Sequence, residues 1–218
     1  MAELCGAPLF IAGKDASCHV VSAEPGGLEL EIRTARNYYS GLNVPVTGSF
    51  HASNVLLAVM VAEDAGVAAS DISVGLGQLL QTGYRARLEK IGNSPTVLLD
   101  VSHNPEGMRE TVNTLCSFRK AYRRVHVMLG LASDKNAQEI IRELIRLDCS
   151  FVVVNIPSER SFPAEILCSL CRKEGADAIV CDNGRTGLGY LNQHADEDDL
   201  ILVTGSFYLA GEILASGI

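Results

Sequence analysis

No apolar run of 18 residues occurs in the 218-residue chain, so nothing in it reads as a transmembrane helix. Met1 to Phe10 has no basic region ahead of an apolar core, so no secretory signal is expected. Basic residues are also scarce, with 18 Lys and Arg against 26 Asp and Glu and a formal charge of −8. Phosphate-rich surfaces need concentrated cations, which excludes nucleic acid and membrane surfaces as main partners. A small anion, held by a few cations and local dipoles, stays allowed. The 7 cysteines are odd in number and lack framework spacing, which points to reduced thiols and a cytoplasmic protein. Cys168 and Cys171 form a C-x-x-C, but no second pair or nearby His completes a site, so no metal ligand is assigned. On a helix their spacing points inward, and they are read as buried thiols. A phosphate-cradling G-x-x-x-x-G-K-S/T loop is missing as well: the only Gly-Lys pair, Gly13-Lys14, is followed by Asp15.

What the chain does have is 47% apolar residues, enough for one good core, or one core plus a smaller piece. Residues 1 to about 46 read as short strands and turns, with Leu28-Glu29-Leu30-Glu31-Ile32 alternating as a half-exposed strand does. From Ser53 to Ala65 nearly every position is apolar, as on a helix buried over most of its surface. Ile72 to Leu80 reads as a short helix with Asp71 as its cap. Turn character at Gly83-Tyr84 places a boundary there, with residues 84–94 as linker. Beyond Pro95 the pattern becomes βα alternation. Strands are expected near 96–100, 124–129, 150–154, 177–181 and 199–203, and helices near 105–119, 135–147, 163–174, 185–193 and 206–216. Five such units imply an α/β, Rossmann-like, mainly parallel sheet with helices on both faces.

The most informative stretch is Arg87-Leu88-Glu89 followed by Leu98-Leu99-Asp100-Val101-Ser102-His103-Asn104-Pro105. A buried strand ends at a carboxylate, an imidazole and an amide, and Pro105 then sits where a helix would begin. Open α/β sheets build ligand sites at such strand ends, and the helix N-terminus favours an anion. An ordinary βα turn with a polar cap shows the same spacing; the upstream R-x-E tips the balance.

These residues resemble the G-R-x-E … D-x-x-H-N-P signature of the folylpolyglutamate synthase/dihydrofolate synthase family within the Mur ligase superfamily. Gly48-Ser49-Phe50-His51-Ala52-Ser53-Asn54 is similar to the family's G-x-H/F-Q-x-x-N segment, which opens a helix of the central domain. Val203-Thr204-Gly205-Ser206-Phe207-Tyr208 is similar to its final V-T-G-S-L/F-Y turn. Ala86 stands in place of the family's Gly, and His51 in place of its Gln.

The resemblance implies a C-terminal half: residues 1–83 as the tail of a central ATP-binding domain and 95–218 as a glutamate-ligase domain. The family joins L-glutamate to folate or dihydropteroate with ATP, through an acyl phosphate. The phosphate loop and Mg2+ ligands would lie in a half not present here, so the chain alone is expected to be inactive and its parent monomeric. By the same resemblance Asn54 would meet the adenine side of ATP, Arg87 its phosphates or ribose, and Asp100 the ribose hydroxyls. His103 would sit nearest the chemistry, where an imidazole can take the proton of an attacking amine. Ser206 would seat a glutamate carboxylate, although a plain helix N-cap is physically the same arrangement. Lys135 would touch a substrate carboxylate or simply face solvent. A cell-wall amino-acid ligase of the same superfamily is the nearest rival, but D-x-x-H-N-P fits the folate enzymes better than the rival's D-x-A-H-T-P or D-S-Y-N-A-N. A non-catalytic nucleotide or amino-acid binding module is the third reading.

Overall fold

The computed structural model describes residues 9–217 and divides into two compact units between Tyr84 and Arg85. In the first, β1 (Ser17–Glu24), β2 (Gly27–Arg33) and β3 (Tyr38–Val44) form an antiparallel sheet in sequence order. Pro25-Gly26 turns the chain between β1 and β2, Gly26 supplying a φ of +86° that suits glycine. Leu28, Leu30 and Ile32 face the core and Glu29 and Glu31 the other side, as the alternation requires. Helices α1 (His51–Asp64) and α2 (Ala69–Gly77) cover that apolar face through Val55, Leu56, Val59 and Ile72.

Two expectations change here. α1 is not buried on most of its surface: it buries one stripe and leaves Leu57 49% and Val61 69% exposed. Asp71 is not a cap, because α2 starts two residues before it with Ala68 at the N-cap, and Asp71 sits in the first turn, where a carboxylate suits the helix dipole. Glu63 on the buried stripe accepts hydrogen bonds from Thr34 (3.0 Å), Asn37 (2.7 Å) and Tyr39 (2.8 Å). Burial pushes the Glu63 carboxyl up, but those three bonds and the Arg36 charge outweigh it and hold the group below the usual glutamate value. Tyr39, buried beside that carboxylate, is pushed up to about 12.

The second unit holds a six-stranded sheet ordered β4-β5-β9-β6-β7-β8. Its strands are β4 (Glu89–Asn93), β5 (Thr96–Leu99), β6 (Val125–Leu129), β7 (Cys149–Val154), β8 (Ala178–Cys181) and β9 (Leu200–Thr204). All neighbours pair in parallel except β4, an antiparallel edge strand on β5. The segment expected to be linker therefore carries a strand over most of its second half. The helices are α3 (Pro105–Phe118), α4 (Ala137–Ile145), α5 (Ala164–Lys173), α6 (Gly184–His194) and α7 (Phe207–Ala215). Successive strand residues point to opposite faces, so Val127, Leu129, Phe151 and Val153 pack with α3, α4 and α5. Met128, Val152, Val154 and Val203 pack with α6 and α7. Cys168 and Cys171 lie in the first of these cores, and burial pushes the Cys171 thiol up to about 12. Among the described residues no group of His, Cys, Asp or Glu could hold a metal ion, and no helix is long and apolar enough to cross a membrane.

Candidate functional site

β9 lies between β5 and β6, and the chain leaves β5 into α3 on one face and β9 into α7 on the other. Helices departing to opposite faces open a crevice at the carboxyl ends of the strands, the place where open α/β sheets hold ligands. The turns after β5, β6, β7 and β9 converge there. His103, Ala132, Lys135, Arg160 and the run Gly205 to Tyr208 line a pocket of about 180 Å³.

The turn after β5 is built around a cap. Asn104 accepts the Gly107 N–H at 2.7 Å, and Pro105 takes the first helical position, where its missing N–H is no loss. His103, just outside the helix, has Nδ1 2.9 Å from the Val101 carbonyl oxygen. A carbonyl can only accept, so Nδ1 carries the proton and Nε2 of the neutral ring keeps its lone pair. The ring lies beside that of Phe207, tilted 54° to it with centroids 5.8 Å apart.

Ser206 follows β9 and caps α7, its Oγ accepting the Leu209 N–H at 3.0 Å. It is 5% exposed, yet the hydroxyl hydrogen remains available to an acceptor in the pocket. Gly205 makes this approach possible. It has a φ of +111°, and a Cβ there would stand 2.6 Å from the Gly130 carbonyl oxygen, so no other residue fits between β9 and β6.

Asp100, expected to meet ribose, has a different setting. It is 4% exposed and accepts from the Ser102 N–H and the Thr111 hydroxyl at 3.0 Å and from the Leu88 N–H at 3.2 Å. The second buried carboxylate of the motif, Glu89, accepts the Ala86 N–H at 2.7 Å and pairs with Arg85. Between them Ala86 (φ +57°) and Leu88 (φ +49°) are both left-handed. That conformation costs about 1–2 kcal/mol in each non-glycine residue, and it explains the family's glycine at the position Ala86 holds here. The reward is geometric: Leu88 turns into the core while Arg87 stands exposed, its guanidinium 5.4 Å above the Phe207 ring. Asp100 and Glu89 thus brace the turn that presents Arg87.

Lys135 is half-buried rather than fully exposed, and its ammonium lies 3.1 Å from the Asp134 carboxylate. Arg160 was not singled out by sequence. It stands on the loop after β7 with no motif around it, and only its place beyond an expected strand end would have flagged it. Asn54 is exposed on the first turns of α1, in the first unit.

The family model of the Mur ligase, glutamate ligase domain, matches residues 86–207. A probable bifunctional folylpolyglutamate synthase/dihydropteroate synthase of Haloferax volcanii is 29% identical over 172 residues, 78% of this chain and 20% of that protein. A UDP-N-acetylmuramoyl-L-alanyl-D-glutamate–2,6-diaminopimelate ligase of Rickettsia montanensis is 24% identical over 179 residues, 79% of this chain and 36% of that one. In fold, the chain is similar to Mycobacterium tuberculosis folylpolyglutamate synthase complexed with ADP, with a TM-score of 0.82 at 22% identity, covering 99% of this chain and 50% of that one. The chain thus spans a fifth to a half of the length of these relatives. The family match takes in His103, Lys135, Arg160 and Ser206 and more than half of the chain, and on that ground the chain belongs to the Mur ligase family and carries its glutamate ligase domain.

Proposed function

We propose that this chain is the C-terminal part of an ATP-dependent ligase that adds L-glutamate to folates through an acyl phosphate. The observation that carries the reading is the convergence of His103, Lys135 and Ser206 on one pocket at the sheet's carboxyl edge. A carboxylate becomes a useful electrophile once phosphorylated, and the incoming amine must then lose a proton as it attacks. His103 Nε2, left as a lone-pair acceptor by the bond from Nδ1, is suited to take it. The Ser206 hydroxyl and the start of α7 suit the carboxylate of the amino acid, and Lys135 adds a cation. Arg87 offers a planar fork for nucleotide phosphates, and Asp100 serves the nucleotide by bracing that fork. Asn54 keeps its assignment to the adenine side, and magnesium and a phosphate loop would come from outside these 218 residues.

The missing phosphate loop favours one second reading, a module that binds glutamate without turnover. A joint experiment tests both. With folate, glutamate and Mg-ATP, the chain alone is expected to release no phosphate above a heat-killed control, yet L-glutamate should shift the His103 ring signals in NMR. Turnover by this chain would overturn the fragment reading. Silence of His103 at saturating glutamate would overturn the site.

A further inference from the structure

Phe207 opens α7 with its ring against two groups to which the ligase reading gives separate work. The Arg87 guanidinium stands over the ring, 5.4 Å from its centroid, and the His103 imidazole lies beside it at 5.8 Å. Three turns meet there: the one before β4, the one after β5 and the one after β9. Each is fixed from behind. Asp100 and Glu89 brace the first, and the Val101 carbonyl accepts from His103 in the second. In the third, the Ser206 cap seats Phe207 at the first helical position.

Burial does not account for the ring. Phe207 is 56% exposed and belongs to neither apolar core of the second unit. What its contacts do is leave the polar atoms of both neighbours free. A cation over an aromatic face is held by the ring's quadrupole and not by a hydrogen bond. Among the described residues none forms a hydrogen bond or ion pair with the Arg87 side chain, so all five of its N–H donors are uncommitted. His103 Nε2 likewise keeps its lone pair. A polar partner in place of the phenyl ring would consume one of these atoms. Phe207 also lines the crevice pocket with His103 and Ser206, whereas Arg87 lies outside that lining. The ring therefore joins the arginine to the pocket.

We infer that Phe207 is a positioning residue for the ligation, coupling Arg87 to His103. It orders both groups without using a donor or acceptor of either, and an anion gripped by Arg87 resets the ring beside the imidazole. This rests on the ligase reading above, in which Arg87 meets nucleotide phosphates and His103 the amine.

The test is titration of this chain with inorganic triphosphate, and separately with L-glutamate, followed by NMR of the Arg87 Nε–H and the His103 ring. Wild type is compared with Phe207→Leu, which keeps an apolar side chain without an aromatic face, and with Phe207→Tyr, which keeps the face. The Leu209 amide, donor to the Ser206 hydroxyl, reports that α7 keeps its start in each variant. In wild type triphosphate should shift both signals with one midpoint. In Phe207→Leu the Arg87 signal should still respond, at about two- to fivefold higher triphosphate, the size of one exposed cation–π contact, while the His103 response is lost. Phe207→Tyr should restore both. L-Glutamate, which meets the imidazole directly, should shift His103 in all three proteins. An aromatic with a packing role alone would be replaced by leucine with neither response changed. A His103 response to triphosphate that survives at full size in Phe207→Leu would overturn the coupling and leave the ligase reading standing. Triphosphate that moves neither signal in wild type would instead overturn the nucleotide role of Arg87, and this proposal with it.

Discussion

Asp100→Asn distinguishes a brace from a ligand. In the wild type one carboxylate oxygen accepts from Ser102 and Thr111, and the other from the Leu88 N–H at 3.2 Å. Asparagine keeps one acceptor oxygen. Turned to keep the pair of bonds at Ser102 and Thr111, it points an N–H at the Leu88 N–H; turned the other way, it opposes the Ser102 N–H and can only donate to the Thr111 hydroxyl. At best one buried bond to a charged group is lost, which costs about 1.5–3 kcal/mol. The left-handed pair Ala86 and Leu88 adds a tendency to relax once its grip fails. A loss of about 2 kcal/mol should lower Tm by roughly 6 °C. Calorimetry measures this, and the Arg87 Nε–H signal should lose the ring-current shift that Phe207 gives it. A solvent-facing ribose ligand would behave oppositely, leaving fold and Arg87 signal untouched. A Tm within about 1 °C of wild type would refute the reasoning.

Two further predictions concern stability. The depressed Glu63 carboxyl contributes stability that is complete above the ordinary glutamate value of 4.5 and lost as pH falls through its lower folded value. The acid-side fall in denaturation midpoint should therefore flatten in Glu63→Gln, which should also lose about 1–3 kcal/mol at neutral pH because Thr34, Asn37 and Tyr39 lose an anionic acceptor. Gly205→Ala should destabilise by about 3 kcal/mol or more, combining a positive φ with a Cβ 2.6 Å from the Gly130 carbonyl oxygen, and chemical denaturation reads it. A loss under about 1 kcal/mol in Gly205→Ala would mean that β9 and β6 can part without penalty.

Much of this was legible in the residues. Strands such as Val125–Leu129 and Cys149–Val154 are short apolar runs between turn residues, and the structure places them within a residue or so of expectation. β4 was missed because Gly92, Asn93 and Pro95 read as turn, and its pairing with β5 depends on a neighbour rather than on its own pattern. α1 misled for a different reason. Its apolar residues surround the axis, so periodicity could not tell that Leu57 and Val61 stay outside. At the site, His103 and Ser206 were legible as strand-end residues within motifs. The setting of Asp100 was not, because its partners Leu88 and Thr111 lie 12 and 11 residues away and are joined to it only by the fold. Arg160 gave no signal because its tie to Asp134 and Lys135 spans the whole of α4 and β7.

The place of β9 in the sheet has a consequence for how the chain is made. Leu200–Thr204 pairs with β5 on one side and with β6 on the other, and no direct pairing joins those two strands. A nascent chain that has emerged as far as α6 therefore owns two strips, β4-β5 and β6-β7-β8, whose inner edges wait for a strand still inside the ribosome. At about 5–20 residues per second, the hundred residues from β5 to β9 keep the β5 edge exposed for roughly 5–20 seconds, and the β6 edge for somewhat less. Open, apolar strand edges are where chains stick to one another. Release from that hazard comes in one event, when Leu200–Thr204 slots in and brings Ser206 to the crevice with it.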